Sequence, residues 1–134
     1  MPASFFDTNV LLYLASADTT KADRAEAAIA KGGAISVQVL NELANVARRK
    51  MQMPWDETHA LLDMLRGLLK VHPFTVEAHE TGLGIAERHG LSIYDAMIVA
   101  SALHAGCDTL WSEDMHHGMA FEEGLRIVNP FRPP

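Results

Sequence analysis

The 134-residue chain is 49% hydrophobic and 21% charged, a balance that supports one globular domain over residues 1–134 and excludes intrinsic disorder. Lys+Arg 11 against Asp+Glu 17 leaves a net charge of -6, so the molecule as a whole does not attract a polyanion and any nucleic-acid contact must be local. The longest apolar stretch, Ala96 to Leu103, is far shorter than the about 20 residues that cross a bilayer, and a single cysteine, Cys107, excludes an intrachain disulfide and a thiolate zinc cage. No basic leader precedes Asp7, so the expectation is a cytoplasmic protein with no membrane partner.

In chain order, Ser4 to Phe6 is an apolar run of buried-strand length, followed by Asp7 and a helix beginning near Val10. A helical pattern covers Lys21 to Ala30, and Ala34 to Val37 reads as a second strand. Leu40, Leu43, Ala44, Ala47 and Met51 then draw one apolar stripe at helical spacing. Pro54 opens a helix from Trp55 to about Leu69, Lys70 to His72 reads as a third strand, and helices follow over Val76 to Arg88 and Tyr94 to His104. Thr109 to Trp111 and Arg126 to Val128 complete five strands. This alternation predicts an α/β fold in which a central parallel sheet of about five strands is flanked by helices.

Ligands of such sheets bind beyond the carboxyl ends of the strands, and acids recur there. Asp7 directly follows the first strand, Glu42 sits on the first turns of the helix entered from the second, Asp95 opens the helix ending at His104, and Asp114 follows the fourth strand. Each has a plain reading by itself. Asp7 suits a helix cap, and Glu42, opposite the apolar stripe with Asn45 and Arg49, suits a solvated surface. Ser92 to Asp95 has capping-box spacing, and Asp114 suits a turn. Together they place four like charges at one sheet edge, an arrangement reconciled by hard divalent cations with oxygen ligands. Two such ions would reduce the charge from -6 to -2.

The segments Phe6-Asp7-Thr8-Asn9-Val10, Asn41-Glu42, Tyr94-Asp95-Ala96 and Ser112-Glu113-Asp114 resemble the four acidic motifs of the PIN domain, and the chain is similar in length and motif order to VapC-type toxins. The resemblance implies a Rossmann-like three-layer sandwich and a Mg²⁺- or Mn²⁺-dependent ribonuclease held silent by a cognate antitoxin, commonly as a homodimer. It implies catalytic and metal-binding roles for Asp7, Glu42, Asp95 and Asp114. Asn9 matches a residue that steadies the first acid, and Ser112 stands where Thr or Ser is usual. Glu113 competes for the fourth role, which the Ser/Thr-x-Asp spacing gives to Asp114.

Other signals carry less. None of the seven histidines forms an H-E-x-x-H pair, Gly82-Leu83-Gly84 lies inside a helix as a close-packing point, and Cys107 reads as core. Arg48-Arg49-Lys50 suits a helix end, with Arg49 as a possible RNA phosphate contact on the face of Glu42, and the Met51 to Trp55 region suits a protein interface. The leading expectation is an endoribonuclease toxin of a type II toxin-antitoxin pair, leaving 5′-phosphate and 3′-hydroxyl ends. The rival from another class is a non-catalytic nucleic-acid or protein-binding module with an acidic cation site. A phosphoaspartate enzyme is disfavoured because Asp7-Thr8-Asn9 lacks a second acid two positions on.

Overall fold

In the computed structural model, which describes residues 3–121 and 124–132, all five expected strands form: β1 (Ser4–Phe6), β2 (Ala34–Ser36), β3 (Lys70–His72), β4 (Thr109–Trp111) and β5 (Arg126–Val128). They make one parallel sheet in the order β3-β2-β1-β4-β5. Neighbouring residues on a strand point to opposite faces, and both Phe5 and Phe6 are fully buried, so both faces of β1 are covered. Phe5 and Phe6 each contribute about 2 to 3 kcal/mol through that burial.

The flanking helices are α1 (Thr8–Leu12), α2 (Thr19–Ile29), α3 (Val37–Arg49), α4 (Trp55–Leu68), α5 (Val76–His89) and α6 (Ile93–His104), with a 3-10 turn over Tyr13–Ala15 after α1. Their starts follow local capping chemistry. Asp18 accepts from Lys21 N at 3.2 Å, so α2 begins before the expected Lys21. Ser36 accepts from Val39 N at 3.4 Å, which ends β2 at Ser36 and gives Val37 to α3 rather than to the strand. The buried stripe of α3 is Val39, Leu43 and Ala47, while Met51 lies beyond the helix end and is exposed.

Helix α6 buries seven consecutive residues, Ala96 to Ala102, as expected of a helix apolar on every side. It packs against α5 and across β2 and β4. At Gly82 a Cβ would meet the Met97 sulfur at 2.5 Å, which makes this glycine the close-packing point expected of it. Cys107 is buried in the core. No helix among the described residues is long and apolar enough to cross a membrane.

The chain leaves β1 toward β2 and β3, then returns to β4 on the other side of β1. The connections diverge at the carboxyl ends of β1 and β4, and a parallel α/β sheet offers its ligand crevice there.

Candidate active site

Asp7 stands at that divergence. Its backbone N–H donates to the Trp111 carbonyl at 2.9 Å, extending the β1–β4 ladder by one residue, while its extended backbone makes it the N-cap of α1. Oδ1 accepts from Thr8 N at 2.7 Å, and Oδ2 accepts from the Ser112 hydroxyl at 2.9 Å and the Asn9 amide at 3.2 Å. Only 7% of Asp7 is exposed. Burial pushes its pKa up to about 6, against the hydrogen bonds from Ser112 and Thr8, and the charges of Asp95 and Glu42 push it further in the same direction. Asp7 thus caps α1 from the candidate site's position at the end of β1.

The supporting residues tie two loops together. Ser112, fully buried, donates to Asp7 and accepts from Met115 N at 3.3 Å. Asn9 donates to Asp7 and accepts from Glu113 N at 3.1 Å. Glu42 is half-buried rather than solvated, its Oε2 accepting from the Thr8 hydroxyl at 2.8 Å and its Oε1 from Gln38 at 3.0 Å. Asp95 is half-buried at the start of α6, where Ser92 caps its N–H at 3.2 Å. Among the described residues the Asp95 carboxylate makes no return bond to Ser92.

Asp114 is exposed and shares an open depression with Asn9, Tyr13, Met51 and Glu113. Thr8 bridges Asp7 and Glu42, its N–H donating to the one and its hydroxyl to the other, whereas Asp95 acts on Asp7 by charge and Asp114 stands in the open depression. Glu113 is engaged elsewhere: it accepts from the Tyr13 hydroxyl at 2.7 Å and pairs with Lys21 at 2.6 Å. Partial burial opposes its ionisation, but Lys21 and Tyr13 outweigh that and lower its pKa. The Lys21 pKa is raised by the same Glu113 contact and by Tyr13. Tyr13 and Lys21 had no sequence signal, because their partner lies about 100 residues away in the chain.

Arg49 is exposed on the last turn of α3, and its neighbour Arg48 is structural, donating to the Met53 carbonyl at 2.7 Å and stacking on Trp55 at 4.2 Å. No histidine is among the groups acting on Asp7. No three His, Cys, Asp or Glu side chains among the described residues lie close enough to form a ready ion cage. The donor chemistry still suits a hard cation: a buried carboxylate, already anchored by three donors, with two further carboxylates acting on it.

A parallel α/β sheet with acids gathered where its connections diverge defines a Rossmann-like class with an acidic carboxyl edge. The family model described as PIN domain matches residues 4–120, and the chain belongs to that family. A toxin-antitoxin complex from Klebsiella pneumoniae is similar in structure, with a TM-score of 0.74, 19% identity, and 98% of this chain and 100% of that chain covered. Mycobacterium tuberculosis VapC20, described as a sarcin-ricin loop cleaving toxin, gives a TM-score of 0.68 at 21% identity over 84% of this chain and 90% of that one. DNA-bound VapBC from Salmonella typhimurium gives 0.68 at 19% identity over 97% and 99%. No curated protein matches the chain in sequence.

Proposed function

We propose that the chain is a divalent-metal-dependent endoribonuclease, the toxin half of a toxin-antitoxin pair. The observation that carries this reading is the anchored, buried Asp7 at the sheet's divergence, with Glu42 and Asp95 acting on it. Asp7, Glu42 and Asp95 would hold Mg²⁺ or Mn²⁺, with Asp114 joining from the rim. Such a cation, held by these carboxylates, would supply water activation and charge stabilisation for phosphodiester hydrolysis to 5′-phosphate and 3′-hydroxyl ends.

The chain's own residues set the geometry. Thr8 N, Ser112 and Asn9 fix the direction of the Asp7 carboxylate, and Thr8 with Gln38 fixes that of Glu42. Lys21 occupies Glu113 and leaves Asp114 as the loop's available acid. An antitoxin partner is supported by the toxin-antitoxin relatives and by an apolar groove of Leu14, Ile29, Met64 and Leu68, in which Met64 and Leu68 are exposed. A homodimer is supported by further exposed apolar side chains, Val76, Ile93 and Tyr94 among them.

The lack of a ready three-carboxylate cage among the described residues favours a second reading, a binding module whose acids meet a partner's cation. Incubating pure protein with transfer, ribosomal and messenger RNA, with and without Mn²⁺, and analysing the cut ends separates the two. The nuclease reading expects metal-dependent cleavage with 5′-phosphate ends; no cleavage at saturating metal supports the module, and 2′,3′-cyclic phosphate formed equally in chelator overturns the carboxylate chemistry.

A further inference from the structure

A depression of about 420 Å³ lies between α2 and the segment following β5; it contains none of the site acids, and Trp111, whose carbonyl accepts from the Asp7 N–H, borders both places. Ala28, Trp111 and Pro130 give it apolar surface, while Arg24, Lys31 and Arg132 supply three positive charges, and no acidic residue among the described ones lines it. Three of the chain's eleven basic residues thus meet in one place on a molecule of net charge -6. None of the three forms an ion pair among the described residues. One Arg24 N–H group donates to the Arg132 carbonyl at 2.9 Å, pinning the C-terminal segment to α2.

The charges also form a line. Lys21 and Arg24, three residues apart, share one side of α2 with Ala28, and Lys31 follows just past the helix end at Ile29. At 1.5 Å per residue the helical part from Lys21 to Ala28 runs about 10 Å. Its first member, Lys21, is paired with Glu113 beside Asp114, so the line leads from the acidic edge to the depression. Cations spaced along a track, with an indole and a proline where a base can pack, suit a single-stranded polyanion better than one isolated phosphate.

We propose that this depression is a second RNA contact, in which Arg24, Lys31 and Arg132 hold phosphates of a single strand whose other part lies at the acidic edge. The inference rests on the ribonuclease reading for its occupant, but its test needs no turnover. Fluorescein-labelled single-stranded RNA of about ten nucleotides is titrated in chelator and followed by anisotropy. The full chain is compared with Lys31→Ala/Arg132→Ala, which leaves the Arg24 hydrogen bond to the residue-132 carbonyl in place. Lys70→Ala/Arg88→Ala, two exposed cations on β3 and α5, is the charge-matched control.

The pocket variant should bind RNA at least tenfold more weakly, with a salt slope shallower by about 1.4, the value for two lost phosphate contacts on a single strand. The control should keep both the affinity and the slope. In a Trp55→Phe background Trp111 is the remaining indole, and its emission should change as RNA binds. Equal losses in the two double variants, or no RNA binding by the wild type, overturn the proposal. So does saturation of the Trp111 signal by AMP with displacement of RNA, which would make the depression a mononucleotide site. Metal-dependent cleavage is measured separately, so its failure would overturn the nuclease reading and leave this binding result standing.

Discussion

Asp7 links site chemistry to stability at the level of one carboxyl group. The folded state keeps its proton up to about 6, whereas the ordinary carboxyl value is 3.8. Between those values the folded state binds more protons than the unfolded one, so this group's contribution to stability is full below 3.8, falls as pH rises, and is gone above about 6. The span corresponds to about 3 kcal/mol. Asp7→Asn should therefore abolish RNA cleavage yet remove this slope, gaining up to about 3 kcal/mol over wild type at pH 7 in chelator. Urea denaturation from pH 4 to 8 reads the difference, and a variant with the wild-type slope would contradict the burial argument. A neighbouring pair tests the fourth acid: Asp114→Asn should reduce cleavage, while Glu113→Gln, whose parent carboxylate is held by Lys21 and Tyr13, should cleave at the wild-type rate. The reverse result would move the metal-facing role to Glu113.

Among the elements, β1, β2 and β4 were legible as short runs closed by turn or capping residues, whereas β3, Lys70-Val71-His72 at the sheet edge, carries one apolar residue and a weaker signal. Helix starts were less legible. Asp18 and Ser36 decide them through one side-chain hydrogen bond each, and an apolar stripe carries no record of that bond. The acids could be placed from their positions after strands, whereas the Thr8–Glu42, Gln38–Glu42 and Lys21–Glu113 contacts could not, since they depend on how α1, α2 and α3 pack. One turn makes a sharper demand. At Gly33 φ is +146°, and a Cβ would lie 2.6 Å from the Ser4 carbonyl oxygen and 2.7 Å from the Phe6 ring. Neither the β1 backbone nor the buried ring can yield easily. Gly33→Ala should cost about 3 kcal/mol in denaturant unfolding; a loss under about 0.5 kcal/mol, the range of ordinary surface changes, would show that β1 and β2 are less tightly apposed.

For the whole molecule, the negative charge and the acidic edge predict responses to cations of two kinds. Added Mn²⁺ should raise the melting temperature of the wild type, with about 2.7 kcal/mol of stabilisation at a hundred times the dissociation constant. Asp7→Asn should respond much less, and an unresponsive wild type at saturating metal would count against the site. The second cation is a side chain: an antitoxin that silences the site by directing a basic group at the carboxylates should bind more weakly to Glu42→Gln or Asp95→Asn, and Mn²⁺ should compete with its inhibition. Unchanged affinity in both variants would place the antitoxin wholly elsewhere, on surfaces such as the groove beside Met64 and Leu68.

The pairing of β1 with β4 also sets a schedule for biosynthesis. The hydroxyl that anchors Asp7, on Ser112, is made 105 positions after it. At elongation rates of about 5 to 20 residues per second, roughly 5 to 20 seconds separate the two on the ribosome. Through that interval β1 has at most β2, once it is made, on one edge and nothing on the other, and Asp7 has neither its Ser112 donor nor the Trp111 carbonyl acceptor for its N–H. The acidic edge is therefore completed only once Ser112 has emerged, and the nascent chain carries Asp7 without an assembled site until then.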